Sequence, residues 1–204
     1  MFEFLGVTLG TALSALPPHK SLYYQELIES GDSGYYRSVQ RESDRKLAFS
    51  HKGEIESCVI IASYITNVDP DLIRTIMRSE SGWPGANVAA RNGANDLGIM
   101  QINEKVWDIE FSREGVNLDW KYIQNDTCAN IYIGSVILSR RLSNSKSVFE
   151  GLANYHRFKT SSNQSLHISY RIKATQNLLA IQNEYSDWLN RFALILSYSK
   201  DASQ

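Results

Sequence analysis

Glu80 is the residue of this sequence whose type and position point most directly to chemistry. It ends the segment "PDLIRTIMRSE", residues 70–80, in which Leu72 and Ile76 precede it at intervals of four. This spacing places Glu80 on the apolar side of a predicted helix. The glycines and proline of "SGWPG" follow at once and predict that the helix ends there.

A carboxylate at that position is unfavourable for two reasons. The C-terminal end of a helix carries partial negative charge, and apolar neighbours disfavour an ionised carboxyl through desolvation. Both effects favour a protonated Glu80, which is the form that a general acid needs. The other interpretation is a glutamate whose stem lies along the surface while its head is solvated.

Helical periodicity continues on both sides of this candidate acid. Asp69 and Pro70 form a strong start signal for the helix that leads to it. Residues 84–103 are rich in Asn, Gly and Ala and predict a loop, in which "LGIMQIN" forms at most a short strand. The predicted helices span residues 54–66, 70–80, 126–142, 146–157, 165–181 and 183–198.

The first 53 residues differ from the rest of the chain. Residues 1–16 resemble a signal peptide, but Glu3 stands where a positive charge is usual, so they predict either an export signal or an apolar element packed on the domain. Residues 17–53 predict a polar linker with a short helix at 36–48. We therefore expect an N-terminal extension, 1–53, and a domain, 54–204.

The charge balance and the cysteines exclude several classes of function. The formal net charge is −1 with no cluster of Lys or Arg, so binding to nucleic acid is not expected. The sequence contains no run of 18 apolar residues, so no transmembrane helix is expected. Two cysteines and four scattered histidines predict no metal site. From composition alone, Cys58 and Cys128 are either a disulfide or two buried thiols.

Four segments, taken in order, resemble the lytic transglycosylase domain of the goose-type lysozyme superfamily over about residues 55–160. They read "CVIIASYITNVDPDLIRTIMRSESG", "DLGIMQIN", "NDTCANIYIGSVILSRRL" and "ANYH". The likeness is greatest to small members that accompany secretion, conjugation and pilus machines. It implies a mostly α-helical, two-lobed lysozyme-like domain with at most a small sheet, a cleft between Glu80 and residues 98–103, and no cofactor.

The family's motifs imply roles for individual residues. Its E-S motif falls on Glu80 and Ser81 and makes Glu80 the catalytic acid. Its A-Y-N motif reads "ANYH", so that Tyr155 matches a tyrosine facing the acid. Its G-L-M-Q motif reads "GIMQ", with Ile in place of Leu. The substrate-binding residues that these motifs imply are Ser81, Met100, Gln101, Asn103 and His156, the last in place of the common Asn.

The resemblance also implies a Cys58–Cys128 disulfide, because the specialised subgroup has a bridge at these positions. The proline usual beside the second cysteine is absent. The implied substrate, peptidoglycan, lies outside the cytoplasmic membrane, where a disulfide persists. We therefore expect a protein of the periplasm or cell envelope. Its expected partners are glycan strands and proteins of secretion or pilus machinery.

The implied reaction needs one carboxylate and forms a 1,6-anhydro sugar. Asp96 is the further acid best placed to enter the cleft, although capping of its own loop is the favoured interpretation. Trp83 and Trp107 could stack on sugars, but large aromatic residues more often fill cores. Two alternatives stay open: a lysozyme-type hydrolase on the same fold, and a non-catalytic glycan-binding component of an envelope complex.

Overall fold

A computed structural model describes residues 6–30, 53–91, 93–158 and 160–201. Within these residues the chain folds into nine helices and three short strands. This architecture confirms the expected fold class, mostly α-helical with a small β element. The helices are α1 (Leu9–Ser14), α2 (Pro18–Ser30), α3 (Glu54–Thr66), α4 (Pro70–Glu80), α5 (Glu104–Arg113), α6 (Trp120–Asn125), α7 (Thr127–Ser143), α8 (Val148–His156) and α9 (Gln164–Asp201).

The strands form one antiparallel sheet in the region where the sequence predicted a loop. β1 (Asn87–Ala89) pairs with β2 (Asn95–Leu97), which pairs in turn with β3 (Ile102–Asn103). In this register Asp96 lies opposite Asn103. Strands of two or three residues are too short for the alternating pattern that identifies a strand in a sequence.

The main core lies between α3 and α7. α3 is apolar nearly all round, and its Ile55 and Val59 are completely buried in one cluster with Ile131 and Leu138 of α7. Full burial of one such aliphatic side chain contributes roughly 1.5–3 kcal/mol. α4 and α8 add their inner faces to the same core, so the helix that carries Glu80 rests on a rigid base.

A disulfide between Cys58 and Cys128 ties α3 to the first turn of α7, with 5.0 Å between the two Cα atoms. The bridge that the resemblance implied is thereby confirmed. It closes a loop with a sequence separation of 70 residues, which contains both Glu80 and residues 98–103. In the chain-entropy model, a loop of that length stabilises the fold by about 4 kcal/mol.

Capping interactions and backbone conformation at its two ends determine where α4 begins and ends. The Asp69 side chain accepts a hydrogen bond from the backbone N–H of Asp71 at 2.8 Å, and Pro70 occupies the first turn. The helix ends at Ser81, whose φ of 57° turns the chain into the left-handed region. The predicted span, 70–80, matches the observed one, and Glu80 is its last residue.

The N-terminal helices pack on α3 and α9. Residues 18–30 form α2, in contrast to the linker expected there, and residues 36–48 lie outside the described residues. Tyr24 is fully buried, and its hydroxyl donates a hydrogen bond to Asp71 of α4. Packing on the domain was one of the two alternatives for the N-terminal apolar segment. The buried members of this second cluster are Ala12, Tyr23, Tyr24, Ile60, Ile61 and Trp188.

The C-terminal region is one helix of 38 residues, so the prediction of two helices, 165–181 and 183–198, is wrong. The residues at the expected break, Gln182 and Asn183, include neither Gly nor Pro, and both are exposed. Ile181 and Trp188 on either side are buried and hold the helix along its inner face. Within the described part of the chain, no helix combines the length and the apolar composition needed to cross a membrane.

Buried charges join α4 to its neighbours. Arg74 is completely buried, and its Nε lies 3.5 Å from Oε1 of Glu56 on α3. Burial would lower the pKa of Arg74, but the Glu56 carboxylate, together with Tyr24 and Tyr23, raises the pKa above its ordinary value. One turn further along, Arg78 donates to both oxygens of Glu184 on α9, at 2.9 and 2.7 Å.

Candidate active site

Glu80 lies partly buried at the end of α4, with 12% of its side chain exposed. The hydroxyl of Tyr170 on α9 donates a hydrogen bond to its Oε1 at 2.7 Å. Nδ1 of His156, at the end of α8, lies 3.5 Å from the same oxygen. Among the described residues, no hydrogen-bond donor reaches Oε2. The carboxyl group is therefore fixed through one oxygen, and the other is left for a ligand.

α9 fixes this corner through three polar residues spaced along one face. Beside Tyr170, Lys173 donates to the backbone carbonyl of Ser79, and Asn177 donates to the Ser79 hydroxyl at 3.0 Å. The ammonium group of Lys173 stabilises the negative end of α4. Sequence reasoning missed these residues. The signal that could have found them is their spacing of three and four residues on an amphipathic helix.

The His156 and Tyr170 rings stack on each other, with centroids 4.6 Å apart and planes 8° apart. Burial raises the pKa of the Tyr170 phenol well above its ordinary value, and the negative charge of Glu80 acts in the same direction. The phenol therefore stays protonated at physiological pH, and it remains a donor to Glu80. His156, predicted to contact substrate, is half exposed and lies directly beside the carboxyl.

The opposite wall, residues 98–101, approaches so closely that two glycines are required. A Cβ on Gly82 would lie 2.5 Å from the carbonyl oxygen of Gly98. Gly98 itself has a φ of +65°, and a Cβ there would meet the Asn130 side chain at 2.2 Å. The Asn130 amide donates to the carbonyl of Leu97 at 3.0 Å and accepts from the N–H of Met100 at 2.9 Å. A single buried side chain of α7 thus holds this wall in place.

Met100 and Tyr155 are placed differently from the expectations for them. The Met100 side chain is completely buried in the core and forms no wall of the cleft. The Tyr155 hydroxyl donates to the Met100 carbonyl at 2.9 Å, whereas the phenol bound to Glu80 is that of Tyr170. Burial raises the pKa of Tyr155 well above its ordinary value, and the charges of Glu80 and Asp96 add to this effect. Tyr155 therefore lies within electrostatic range of Glu80 and supports the wall beside it.

The remaining predicted residues stabilise the turns around the cleft. The Ser81 hydroxyl donates to the carbonyl of Arg78 at 3.2 Å. Gln101 has a φ of 50°, and its side-chain amide donates to the carbonyl of Gly98 at 2.8 Å. The Asn103 side chain caps α5 and donates to Asp96 at 2.8 Å. Ser81, Gln101 and Asn103 are partly exposed, so contact with a ligand stays a prediction for all three.

Asp96 brings a second carboxylate into the site. Its pKa is raised, first by burial and then by the charge of Glu80, while the hydrogen bond from Asn103 and the proximity of His156 partly counteract the shift. The predicted capping of its own loop is not what the structure shows, because Asp96 lies within β2. Trp107 belongs to the core, and Trp83 is half buried.

The structure offers no evident metal centre at this site. Within the described ranges, no three His, Cys, Asp or Glu side chains converge in a way that could hold a metal ion. What converges instead is one partly buried carboxyl, a phenol bound to it, an imidazole and a second carboxylate. This set can donate and accept protons.

Comparison with known proteins assigns the family. The model of the transglycosylase SLT domain matches residues 57–177, more than half of the chain. The chain belongs to the transglycosylase SLT family. The recognition made from the sequence motifs is thereby confirmed. The match includes Glu80, Asp96 and Tyr170, whereas α1 and α2 lie outside it.

Among curated proteins, this SLT-family chain is similar to the protein named Invasion protein IagB. The identity is 24% over 136 residues with IagB of Salmonella typhimurium (strain SL1344) and of Salmonella typhi. The aligned region covers 66% of this chain and 82% of each relative. SLT proteins are lytic transglycosylases that act on peptidoglycan, outside the cytoplasm, and membership of the family supports this general activity for the present chain.

Proposed function

We propose that this protein cleaves the β-1,4 bond between N-acetylmuramic acid and N-acetylglucosamine in peptidoglycan and leaves a 1,6-anhydro end. The observation that carries the proposal is the hydrogen bonding of the two carboxyl oxygens of Glu80. Its Oε1 accepts the Tyr170 hydrogen bond, so a proton on the carboxyl group belongs on Oε2, which accepts no hydrogen bond from the described residues. That oxygen is the one available to a substrate.

In the first step, Oε2 of Glu80 donates its proton to the glycosidic oxygen. The bond from that oxygen to the anomeric carbon breaks, and the N-acetyl carbonyl oxygen of the muramic residue closes onto the anomeric carbon. Such substrate assistance is an established alternative to a second carboxylate. Tyr170 holds the carboxyl in position, because its phenol stays protonated and keeps donating to Oε1.

In the second step, the Glu80 carboxylate accepts the proton of the 6-hydroxyl of the same sugar. The 6-oxygen attacks the anomeric carbon and displaces the N-acetyl oxygen, so no water is consumed. His156 lies 3.5 Å from Oε1 and would stabilise the carboxylate formed between the two steps whenever the imidazole is protonated. Glu80 thus acts first as an acid and then as a base.

The test is the mass of the sugar released from purified cell walls. The proposal expects products that lack one water molecule relative to hydrolysis products, and it expects no release by Glu80→Gln. That substitution preserves the size of the side chain and an acceptor for Tyr170, so its melting temperature should match that of the native protein. Products that contain the added water, or undiminished release by Glu80→Gln, would contradict the proposal.

A second candidate is hydrolysis of the same bond, and Asp96 is the observation that favours it. Many glycosidases use two carboxyl groups that flank the bond, and Asp96 lies close enough to Glu80 for the charge of one to act on the other. If Asp96 takes part, Asp96→Asn should lower turnover by orders of magnitude and the native product should contain the added water. If substrate assistance operates, the same variant should retain most of its activity.

For the biological role, we propose local opening of the cell wall for a secretion, conjugation or pilus machine, in the periplasm or cell envelope. The similarity to Invasion protein IagB supports this role, and the disulfide suits an oxidising compartment. Deletion of the gene should impair assembly of one such machine, and re-expression of the native chain, but not of Glu80→Gln, should restore it. Restoration by Glu80→Gln would show that the role is not enzymatic.

A further inference from the structure

Arg141, in the last turn of α7, is held between two aromatic rings. Its guanidinium carbon lies 4.5 Å from the ring centroid of Trp107 and 3.9 Å from that of Phe158. Each contact is a cation–π interaction, and together they fix the plane of the guanidinium. The Phe158 side chain is itself 48% exposed, so an apolar surface borders the arginine on the solvent side.

Arg141 does not form an ion pair of the kind that its neighbour forms with a described residue. Arg140 forms a bidentate ion pair with Glu114, in which both N–O distances are 2.8 Å. Among the described residues, Arg141 makes no ion pair, and its Nε is buried without a hydrogen-bond acceptor. Desolvation lowers the pKa of Arg141. The Glu110 carboxylate partly offsets this effect through its charge without pairing with the guanidinium. A buried donor without an acceptor, such as this Nε, is unfavourable and calls for a ligand or a functional reason.

Arg141 lies next to the candidate active site. Trp107 stands in the first turn of α5, four residues after Asn103, and Phe158 follows His156 by two residues. The charges of both Glu80 and Arg141 act on the pKa of the Tyr155 phenol. One short segment, residues 156–158, thus supplies both the imidazole beside Glu80 and the ring beside Arg141.

We infer that Arg141 is a binding site for a carboxylate of the peptide stem carried by the muramic residue. This inference rests on the proposed function, because only a peptidoglycan substrate brings such a stem to Glu80. A guanidinium of fixed plane binds a carboxylate through two parallel hydrogen bonds. The exposed ring of Phe158 offers an apolar surface to the side chains of the stem. The site would favour strands that bear peptides over bare glycan.

A carboxylate could also come from the lactyl group of a strand without peptides, since removal of the stem frees that group. The experiment therefore compares two substrates: glycan strands with their peptides, and the same strands after treatment with an amidase. Arg141→Gln and Arg141→Lys are measured on both. The matched control is Arg140→Gln, one residue away on the same helix and paired with Glu114 instead.

We expect Arg141→Gln to lower kcat/KM on peptide-bearing strands by about tenfold, mostly through KM, as for loss of one charged hydrogen-bonded pair. On stripped strands it should match the native protein. Arg141→Lys, which keeps the charge but not the planar fork, should give a smaller loss, and Arg140→Gln none. An equal loss on both substrates, or no loss on either, would overturn the assignment.

A binding measurement separates this inference from the proposed function. The Glu80→Gln protein, with and without Arg141→Gln, is sedimented with peptide-bearing and with stripped cell walls. Arg141→Gln should weaken binding to peptide-bearing walls alone, whether or not the native protein turns over. Identical binding of the two proteins would refute the role of Arg141, whereas absence of turnover by the native protein would refute the enzymatic proposal. Melting curves confirm that each variant is folded.

Discussion

The Tyr170 hydroxyl and Oε1 of Glu80 are joined by a 2.7 Å hydrogen bond between residues 90 positions apart in the chain. This bond distinguishes the two carboxyl oxygens. The phenol stays protonated and donates here, because burial and the charge of Glu80 raise its pKa well above the ordinary value. The orientation of the acid therefore depends on α9, the helix furthest from α4 in the sequence.

We predict that Tyr170→Phe lowers kcat for muropeptide release by about tenfold or more, since a hydrogen bond to a charged group is worth roughly 1.5–3 kcal/mol. KM should change little, because the phenol contacts the enzyme's own carboxyl. Single-turnover kinetics on purified cell walls measures the effect. Tyr122→Phe is the control, since Tyr122 also donates to a carboxylate, Asp126, at 3.2 Å on the exposed surface. A similar loss in both variants would rule out a specific role for Tyr170.

The sequence predicted well what short-range interactions determine. The bounds of α3 and α4, 54–66 and 70–80, were predicted correctly, because α4 starts with Asp69 and Pro70 and both helices have dense apolar patterns. α9 was divided wrongly, because its continuity depends on contacts with α4 and α2 on either side of residue 182 rather than on any signal near that residue.

The same limit applies to the candidate site, where contacts between distant segments could not be predicted from the sequence. Glu80 was proposed as the acid because a carboxylate at a helix C-terminus contradicts a local rule. Tyr170 and Asn130 were not found, since each acts through a contact with a segment at least 30 residues away. Their side chains are ordinary in their own helices, and only the folded chain shows that one orients the acid and the other holds the opposite wall.

Asp96→Asn should make the protein slightly more stable at neutral pH. The pKa of Asp96 is raised in the folded state, so the folded state binds its proton more tightly than the unfolded chain does. The contribution of native Asp96 is therefore most favourable below the ordinary range of an aspartate and is lost as pH rises. Since Asp96 is partly solvated, the gain from Asn should be at most about 0.5–1 kcal/mol.

Thermal melting of the native protein and Asp96→Asn between pH 3 and pH 8 tests this prediction. The difference between the two melting temperatures should shrink as pH falls toward 3, and Asn can still accept the hydrogen bond from Asn103. Asp187→Asn, at an exposed position of α9, serves as the surface control. A variant that is less stable than the native protein at pH 7 would contradict the expected sign.

Loss of the disulfide should lower the free energy of unfolding by about 2–4 kcal/mol. The double variant Cys58→Ala and Cys128→Ala removes the bridge without leaving thiols that could react. Urea unfolding with and without a reductant measures the effect. The reductant should shift the midpoint of the native protein and leave that of the double variant unchanged. Equal midpoints for the two proteins without reductant would show that the closed loop contributes nothing.

Arg74→Met should be the most damaging of these substitutions. It leaves the Glu56 carboxyl buried without the cation beside it, and breaking a buried pair in this way typically costs about 3–5 kcal/mol. Adding Glu56→Gln should recover much of that loss, because a neutral amide is far less costly to bury than an unpaired charge.

The control is Arg113→Met, which removes an exposed pair with Glu110 and should change stability by less than about 1 kcal/mol. Urea unfolding of the two single variants, the double variant and the control gives the coupling energy between residues 56 and 74. If the cost of the double variant equals the sum of the costs of Arg74→Met and Glu56→Gln, the two side chains are not coupled, and the attachment of α4 to α3 depends on apolar packing alone.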